Sequence, residues 1–434
     1  MGKGCQSSIR VSIVRGRVDL LKLDSSKTLL IIGFVWLEPK SSAAGSRMLQ
    51  LIKQFQVQGF KIVFATTANH SDNAVDLSSI NVKSESITLN DASFDEFIAE
   101  LNPDVVLFDR FMTEEQFGWR VAEQCPNTIR ILDTEDLHFL RKSREIALKA
   151  NRKLTLQDLQ SDAAKREIAS IYRSDLSLVI SEYEMELLKN EFQIEEQLLL
   201  YFPFITAEVN ENHIQVMPSF TGRSNFVAIG NFLHKPNYDA VFYLKETIWP
   251  LIRRQLPEAE LYIYGAYANH NVMKLNDQSE GFLVKGYAKE VGTVMQNAKV
   301  CLAPLRFGAG LKGKLIDAMT HGTPCIMSSI AAEGMFGEVE PNGFIVDDPE
   351  DFAKYAIELY RKQSLWEKFQ SNGFRVLKNR FNDKVVSETL QVRVNDLISN
   401  IKRYRRDNFL GQLLMHHSMQ STKYMSKWIE EKNR

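Results

Sequence analysis

The chain has 434 residues, of which 44% are hydrophobic and 25% are charged, and its formal net charge is −1. This size and composition predict a globular protein of two domains, and the balanced charge argues against a general nucleic-acid binder. The four cysteines lack CxxC or Cys/His spacing, which argues against a disulfide framework and a zinc site. The longest apolar run, Leu29 to Leu37, is too short to cross a bilayer, and no signal-peptide core is found, so a cytoplasmic protein is expected.

From residue 27 onward, short β-branched runs alternate with helical periods, which is the pattern of parallel sheets covered by helices. The predicted strands of the first half are 28–32, 61–66, 105–109, 128–132 and 176–180. The clearest amphipathic helices between them are 46–58 and 94–101. We therefore predict a first α/β domain over residues 27–210. Residues 1–26 form an N-terminal extension whose structure the sequence does not settle.

The pattern starts again after residues 204–224, a polar seam without clear periodicity. The predicted strands of the second half are 225–229, 260–264, 282–285, 300–303, 324–327 and 344–346. We therefore predict a second α/β domain over residues 220–385. The tail, residues 386–434, is predicted to form long helices with a basic cluster at 402–406. These helices either pack onto the domains or touch an anionic membrane surface.

Residues 302–322 are the most informative segment, because three glycines lie where a buried strand turns into a helix. The glycines are Gly308, Gly310 and Gly313, and the neighbouring cations are Lys312 and Lys314. Glycines let the backbone approach an anion closely, and the start of the helix offers free N–H groups and the positive end of the dipole. The segment therefore predicts a phosphate site, and the alternative is a tight turn without a ligand. Gly322 is predicted to follow the C-cap of this helix.

Two generic nucleotide motifs overlap here. Residues 308–314 satisfy GxxxxGK, but Leu315 follows where a P-loop has its magnesium-binding hydroxyl, which argues against an ATPase. The same residues satisfy GxGxxG, with Glu333 about 20 residues further on, as a dinucleotide site requires. Because the motif lies in the last third of the chain, a nicotinamide-dependent oxidoreductase is an alternative that rests on GxGxxG alone.

Several separated motifs of the second half occur in a recognisable order. They are Asn231-Phe232, Pro236-Asn237, Asp239-Ala240, IWPLIRRQLPEAELYIYG, PLRFGAGLKGKLIDAM and Ala332-Glu333-Gly334. Together they resemble the C-terminal domain of family-4 (group 1) retaining glycosyltransferases of GT-B fold, over residues 226–360. More loosely, PKSSAAGSR at 39–47 resembles the family's glycine-bearing loop, and LDTEDLHFLR at 132–141 resembles its acceptor-side loop.

The resemblance implies two Rossmann-like domains with parallel sheets that face each other across a cleft, plus C-terminal helices. It implies a nucleotide-diphosphate sugar as donor, held mainly by the second domain, and transfer to an acceptor hydroxyl with retention at the anomeric carbon. The acceptor is a glycan, a lipid-linked molecule or a protein. The chain has no Asp-x-Asp, which favours a metal-independent reaction without a cofactor, in which N–H dipoles and a lysine stabilise the leaving diphosphate. A lipid-linked acceptor would suit a cytoplasmic protein held peripherally at the inner membrane face by its basic tail.

By the same resemblance, donor contacts are expected from Gly45, Lys235, Arg306, Gly308, Gly310, Lys314, Asp317 and Glu333. Gly308 and Gly310 would cradle the diphosphate, and Lys314 would neutralise it as the sugar leaves. Lys235 is either a second phosphate cation or a solvated loop lysine. Asp317 corresponds to the second carboxylate of the family's E-x7-E motif, which receives ribose hydroxyls, or is an ordinary residue of the helix face.

The first carboxylate of that motif falls at Ala309, so this chain departs from the family's pattern. Recognition of the donor sugar must then come from backbone groups or from other residues. This departure, together with a displaced histidine, keeps a second hypothesis open. It is a non-catalytic GT-B-like protein that binds nucleotide sugars or partners.

The expected catalytic residues are His138, Asp133 and Lys314. Asp133 ends a predicted strand, where it could orient the acceptor hydroxyl. His138 follows in the same loop, either near the anomeric centre or pointing to solvent, although the family's histidine usually comes sooner after the strand. Gly45 lies before a helix, where N–H groups could meet the donor phosphates or the acceptor.

Overall fold

The structure is a computed structural model that describes residues 27–433, except the side chains of 383–385. The predicted extension, residues 1–26, lies outside the described residues. Two parallel β-sheets form the frame, one of seven strands and one of six. This two-sheet organisation confirms the fold class expected from the alternation of strands and helices.

The first sheet has the strand order β3-β2-β1-β4-β5-β6-β7. Its strands are β1 Thr28–Gly33, β2 Lys61–Thr66, β3 Val82–Ser86, β4 Val105–Asp109, β5 Ile129–Asp133, β6 Leu176–Val179 and β7 Leu199–Tyr201. Its helices are α1 Ala43–Val57, α2 Ser93–Leu101, α3 Arg110–Gln124, α4 His138–Lys149, α5 Asp162–Arg173 and α6 Glu182–Asn190. Leu30 and Ile32 enter one hydrophobic cluster and Leu29 and Ile31 another, so both faces of the sheet are buried.

Two strands of this sheet were missed by the sequence prediction, and both lie at its edges. β3 has the sequence VKSES, whose side chains are mostly polar and exposed, and β7 has only three residues. An edge strand needs few apolar residues because one of its sides has no neighbouring strand. Hydrophobic patterning therefore carries little information about these two segments.

The second sheet has the strand order β10-β9-β8-β11-β12-β13. Its strands are β8 Ser224–Ile229, β9 Leu261–Tyr264, β10 Phe282–Gly286, β11 Ala298–Ala303, β12 Cys325–Met327 and β13 Gly343–Ile345. The accompanying helices are α7 Glu211–Gln215, α8 Lys235–Tyr243, α9 Trp249–Gln255, α10 His270–Met273, α11 Val291–Asn297, α12 Gly313–Thr320, α13 Ser329–Ala332, α14 Pro349–Arg361 and α15 Gln363–Arg380. A π-helical segment, Leu244–Ile248, joins α8 to α9.

The tail forms two helices, α16 Asp383–Asp407 and α17 Phe409–Asn433, which return to the first domain. Leu390, Val394 and Leu397 lie in the hydrophobic cluster under the first sheet. Arg405 forms an ion pair with Asp175, which directly precedes β6. The tail thus packs onto the first domain, as one of the two sequence interpretations expected. Between residues 27 and 433, the helices that are long enough to cross a membrane lack the apolar character to do so.

Candidate active site

The candidate site lies where the two sheets change strand order. β1 separates β2 from β4 in the first sheet, and β8 separates β9 from β11 in the second. Ligands of open parallel sheets bind at such a point, outside the carboxyl ends of the strands. The loops that follow β1 and β8 meet here, since Asn231 Nδ2 donates to the Ser41 carbonyl oxygen at 3.3 Å. The site is therefore shared by the two domains.

The glycine-rich loop and α12 form the second domain's side of the site. Lys312 is the extended N-cap residue of α12, and no side chain caps this end of the helix. At the other end, the Gly322 N–H donates to Met319 O at 3.1 Å, and the Thr323 N–H donates to Ala318 O at 2.8 Å. With φ of 66° at Gly322, this is a Schellman motif. The predicted helix end at Gly322 is confirmed.

The first domain covers the glycine loop closely, and this contact explains two of the glycines. Gly310 has φ of 65°, and a Cβ atom there would lie 2.8 Å from Asp136 Cβ. A Cβ atom at Gly313 would lie 2.9 Å from Ala43 Cβ. The Ala309 side chain is buried in a hydrophobic cluster of the first domain. In this structure the small side chains of the loop therefore make room for the opposite domain.

Two side chains of the first domain hold the loop by hydrogen bonds. Glu184 Oε1 accepts from the Gly310 N–H at 2.8 Å. Arg144 Nη1 donates to the Gly308 carbonyl oxygen at 2.8 Å, and the Arg144 guanidinium pairs with both carboxylate oxygens of Glu333 at 2.8 and 2.7 Å. The expected donor residues Gly308, Gly310 and Glu333 thus contact the first domain directly. Sequence reasoning missed Glu184 and Arg144.

The two lysines of the segment differ in their surroundings. Lys312 Nζ turns back onto the carbonyl oxygens of Ala309 and Gly310. Lys314 Nζ donates to Asn237 Oδ1 at 2.7 Å. It lines a small cavity of about 20 Å³ at the carboxyl ends of β8 and β11. Burial lowers the pKa of both lysines to about 8, so each remains a cation at neutral pH.

The other expected donor residues of the second domain do not line this cavity. Asp317 lies one helical turn after Lys314 and is partly buried, and burial raises the pKa of Asp317 to about 6. Lys235 begins α8, and its largely exposed ammonium pairs with Glu145 of the first domain at 3.2 Å. Arg306 pairs with Asp239 within the second domain and is half-exposed. Lys235 is thus solvated, as one interpretation expected, but it also bridges the cleft.

Asp133 differs from its expected role, because its carboxylate does not face the cleft. Asp133 is fully buried, and Arg47 of α1 binds both of its oxygens through Nε at 3.0 and 3.1 Å, with Nη2 at 2.8 Å. Arg47 is equally buried. A carboxylate enclosed in this way has no face left for an acceptor hydroxyl. We correct its assignment to a structural ion pair of the first domain.

Gly45 is also explained by packing. A Cβ atom at Gly45 would lie 2.5 Å from the Glu38 carbonyl group, and the Gly45 N–H donates to Ser42 Oγ at 3.0 Å as part of the N-cap of α1. This amide is therefore occupied within its own loop. The expectation that it would meet a donor phosphate is corrected, because the N-cap serine uses the same hydrogen.

His138 lies at the cleft as the first residue of α4. Its Nε2 is 3.3 Å from Asp136 Oδ1, and burial lowers the pKa of His138 to about 4. Arg141 also binds Asp136, and despite the burial of that carboxyl the nearby guanidinium holds its pKa well below its usual range. Burial lowers the pKa of His234 of the second domain to about 3, and His234 also interacts electrostatically with Arg141, Asp136 and the two lysines of the glycine segment.

Sequence reasoning placed Asp136 beside His138 but did not foresee Arg141 and His234 as cleft residues. A signal for His234 was present, since it directly precedes Lys235 in the loop after a predicted strand. Nothing in the sequence links Arg141 to the second domain, because that proximity is created only by the docking of the two sheets.

A second cavity, of about 440 Å³, lies away from this site between α17 and the helices α3 and α5. Its wall includes Arg173 and Arg405, which are paired with Glu114 and Asp175 respectively. Both guanidinium groups are therefore paired with carboxylates of the first domain. The cavity contacts neither the glycine loop nor His138.

Comparison with known proteins agrees with this geometry. Residues 223–362 match the family described as glycosyl transferases group 1. An uncharacterized 44.6 kDa protein in the cps region of Klebsiella pneumoniae is 22% identical over 192 residues, which are 41% of this chain and 50% of the relative. The chain thus spans about half the length of the curated relative it matches.

Two solved structures are similar in fold over most of the chain. Sucrose-phosphate synthase from Thermosynechococcus elongatus has 16% identity and a TM-score of 0.62, over 86% of this chain and 99% of its own. Anabaena HepE in complex with UDP-glucose has 11% identity and a TM-score of 0.62, over the same shares. Identities this low establish the fold alone. The chain therefore has a GT-B fold, and its residues 223–362 match the group 1 glycosyltransferase family.

Proposed function

We propose that the protein is a retaining, metal-independent glycosyltransferase that moves a sugar from a nucleoside-diphosphate sugar to an acceptor hydroxyl. The observation that carries the proposal is the convergence of the glycine loop that leads into α12 with Asp136 of the first domain, where a Cβ atom at Gly310 would lie 2.8 Å from Asp136 Cβ, at the strand-order change of both sheets. The group 1 family match covers the donor-side half of this convergence. The first domain provides the opposite side of the cleft.

The chemistry of the donor suits the second domain's surface. The N-terminus of α12 offers N–H dipoles to the diphosphate, and the cationic Lys314 stabilises the charge that develops as the bond to the sugar breaks. Asp317 is ionised at neutral pH and accepts hydrogen bonds from the ribose hydroxyls. Since fixed dipoles and lysine charges supply the stabilisation, the proposed reaction requires no metal.

In the retaining course, the acceptor hydroxyl attacks the anomeric carbon on the face that the diphosphate leaves. The new bond to the acceptor oxygen forms as the bond to the phosphate oxygen breaks, and the hydroxyl proton leaves with that phosphate oxygen. His138 is neutral at neutral pH because its pKa is lowered to about 4. It can therefore hydrogen-bond to the sugar or the acceptor without adding a charge to the cleft.

Opening of the cleft must precede donor binding. The cavity at Lys314 has about 20 Å³, whereas pockets that enclose small ligands have roughly 300–1,000 Å³. Domain motion is the usual means by which two-domain enzymes admit a substrate and then exclude water. We propose that the described structure is an empty closed state, which must open before the donor can bind.

UDP-sugars are the first donors to test, because HepE, which shares the fold, is described in complex with UDP-glucose. The screen also includes GDP, ADP, TDP, NAD and their sugar conjugates, measured by thermal shift without added metal. Ligands that bind only the folded chain raise its midpoint. A shift with one diphosphate family supports the proposal, whereas tight NAD binding without any diphosphate binding favours an oxidoreductase.

Lys314→Ala tests the mechanism directly. The variant should lose transfer while keeping the wild-type fold, as judged by circular dichroism, because Lys314 stabilises charge that exists only as the donor breaks down. Lys354→Ala is the matched control, since its ammonium is exposed on α14 of the second domain. Retained transfer in Lys314→Ala would remove the lysine from the mechanism.

The second candidate function is a non-catalytic protein that binds nucleotide sugars or partners. Two observations favour it: alanine replaces the first family carboxylate at position 309, and Asp133 is enclosed by Arg47. The distinguishing measurement is the consumption of nucleotide sugar in the presence of mixed glycan, lipid-linked and protein acceptors. Binding without any consumption supports this second candidate.

We further propose that α17 attaches the protein peripherally to an anionic bilayer, which suits a lipid-linked acceptor. Leu410, Leu413, Tyr424 and Trp428 are exposed at spacings that place them along one side of α17, opposite the buried residues Met419 and Ser426. Residues 400–433 contain seven lysines and arginines against three acidic residues. Exposed aromatic and apolar side chains beside basic ones match the chemistry of such a surface.

A further inference from the structure

An anionic group of the protein itself already occupies part of the predicted phosphate site. Glu184 Oε1 accepts from two backbone N–H groups, that of Leu137 at 3.0 Å and that of Gly310 at 2.8 Å. The first of these donors belongs to the first domain and the second to the glycine loop. A carboxylate held by backbone N–H groups is chemically close to a phosphate oxygen held in the same way.

This contact is incomplete on the carboxylate side. Glu184 is fully buried, and its second oxygen, Oε2, has no hydrogen-bond partner in the part of the chain that the structure describes. Burial, followed by the negative charge of Asp136, raises the pKa of Glu184 to about 7. The positive charge of Lys312 opposes this rise. A buried acceptor without a partner costs free energy, so Glu184 is held in a site that does not fully satisfy it.

The neighbouring contacts keep the loop against the first domain. Arg144 binds the Gly308 carbonyl oxygen and Glu333, and the Ala309 side chain is buried in the first domain's hydrophobic cluster. A donor phosphate cannot reach the Gly310 N–H while these contacts persist, because Glu184 holds that hydrogen. Closure of the empty cleft and occupation of the glycine loop therefore exclude each other.

We propose that Glu184 is an internal competitor for the donor diphosphate, so that the empty closed cleft is an autoinhibited state which the diphosphate opens by displacing this carboxylate. The inference rests on the proposed function, since it requires that the glycine loop bind a diphosphate. It goes further by assigning to a first-domain residue the control of access to the second domain's anion site.

The test compares diphosphate affinities of Glu184 variants by isothermal titration calorimetry with UDP, GDP, ADP and TDP. Glu184→Ala should bind the preferred diphosphate about tenfold more tightly than wild type, because a hydrogen bond to a charged group no longer has to be broken first. Glu184→Gln keeps the shape and an acceptor oxygen but loses the charge, so its affinity should lie between the two. Glu186→Ala, an exposed position on the same helix, should match wild type.

A second measurement uses the unmodified chain. Small-angle scattering should show a larger radius of gyration when the diphosphate is bound than when it is absent, and this readout decides the matter even if Glu184→Ala fails to fold. Equal or weaker binding by both Glu184 variants, or a wild-type cleft that closes further on the ligand, would overturn the competitor role while leaving the proposed function intact. Absence of diphosphate binding in wild type and in every variant would overturn both.

Discussion

Arg144 and Glu333 form a two-bonded ion pair across the cleft, with Nη1 to Oε1 at 2.8 Å and Nη2 to Oε2 at 2.7 Å. The pair is largely buried, and the same guanidinium also holds the Gly308 carbonyl oxygen. One side chain of the first domain therefore fastens both the glycine loop and the segment that follows α13.

Arg144→Ala should loosen the closed arrangement. The substitution removes three hydrogen bonds and leaves Glu333 without its partner, which should lower the free energy of unfolding by about 1–3 kcal/mol and raise the radius of gyration in solution. Arg152→Ala is the matched control, because Arg152 makes a similar two-bonded pair with Asp158 that stays within the first domain and is more exposed. Equal radii for Arg144→Ala and wild type would contradict the proposed fastening.

Diphosphate binding should weaken as the pH rises through about 8. Burial lowers the pKa of Lys314 to about 8, so below this pH the ammonium attracts the diphosphate, and above it the amine is neutral. The limiting slope is about tenfold in the dissociation constant per pH unit for each titrating lysine, and Lys312 titrates in the same range. Calorimetry between pH 7.5 and 9.5 measures the effect, because the second ionisation of the phosphate, with a pKa of about 6, is complete below this range.

Lys314→Arg provides the control for this pH profile. Arginine remains charged throughout the range, so the variant should lose the part of the slope that Lys314 contributes and keep the part from Lys312. An affinity that increases with pH in the wild type would show that neither lysine acts as a phosphate cation.

Asp133→Asn should destabilise the first domain without acting on a reacting group. The substitution leaves the Arg47 guanidinium buried and without a carboxylate partner, which costs about 3–5 kcal/mol. Urea unfolding measures the loss. The double variant Arg47→Met with Asp133→Leu removes both charges and should recover much of the stability while keeping diphosphate affinity. A folded Asp133→Asn variant of wild-type stability that has lost transfer would restore the catalytic assignment.

Gly310→Ala should cost more than backbone strain alone. A non-glycine residue in the left-handed region costs roughly 1–2 kcal/mol, and the new methyl group would also meet Asp136 Cβ at 2.8 Å. Gly59→Ala separates the two effects, because Gly59 has φ of 84° and open space around its would-be Cβ atom. Thermal unfolding should rank wild type, Gly59→Ala and Gly310→Ala in decreasing stability. Equal losses of stability in the two variants would mean that the first domain shifts to accommodate the methyl group.

Trp428→Glu should abolish binding to anionic vesicles. The substitution places a negative charge on the exposed apolar side of α17, near the C-terminal end of the helix, which opposes both insertion and attraction to acidic lipids. Co-sedimentation with vesicles of phosphatidylglycerol and phosphatidylcholine measures the effect, and Val57→Glu, an exposed apolar position in the first domain, is the control. Failure of the wild type to sediment would contradict the proposed membrane contact.

Local patterns were sufficient for the parts of the fold that depend on neighbouring residues. Buried strands such as β1 and β11 were predicted because both faces of a parallel sheet are covered, so that their sequences are almost continuously apolar. The end of α12 was predicted because Gly322 adopts φ of 66°, a conformation that favours glycine. These features need no knowledge of distant contacts.

Glu184 shows why the rest of the site could not be predicted. Ser181 and Glu184 have the S-x-x-E spacing of a capping box, which predicts that the carboxylate folds back to the start of its own helix. In the structure Ser181 provides no side-chain cap, and Glu184 binds Gly310, which lies 126 residues away in the sequence. A local motif was thus used for a contact between domains.

What the sequence by itself determined is the two parallel sheets, the glycine loop with its two lysines and the resemblance of the second half to group 1 glycosyltransferases, because each depends on short, contiguous patterns. Only the tertiary structure decided that Asp133 is enclosed by Arg47, that Ala309 packs into the first domain and that Arg144 reaches Glu333 across 189 residues. The physical reason is that charge pairing and close packing depend on which surfaces meet, and this is settled only when the two domains dock.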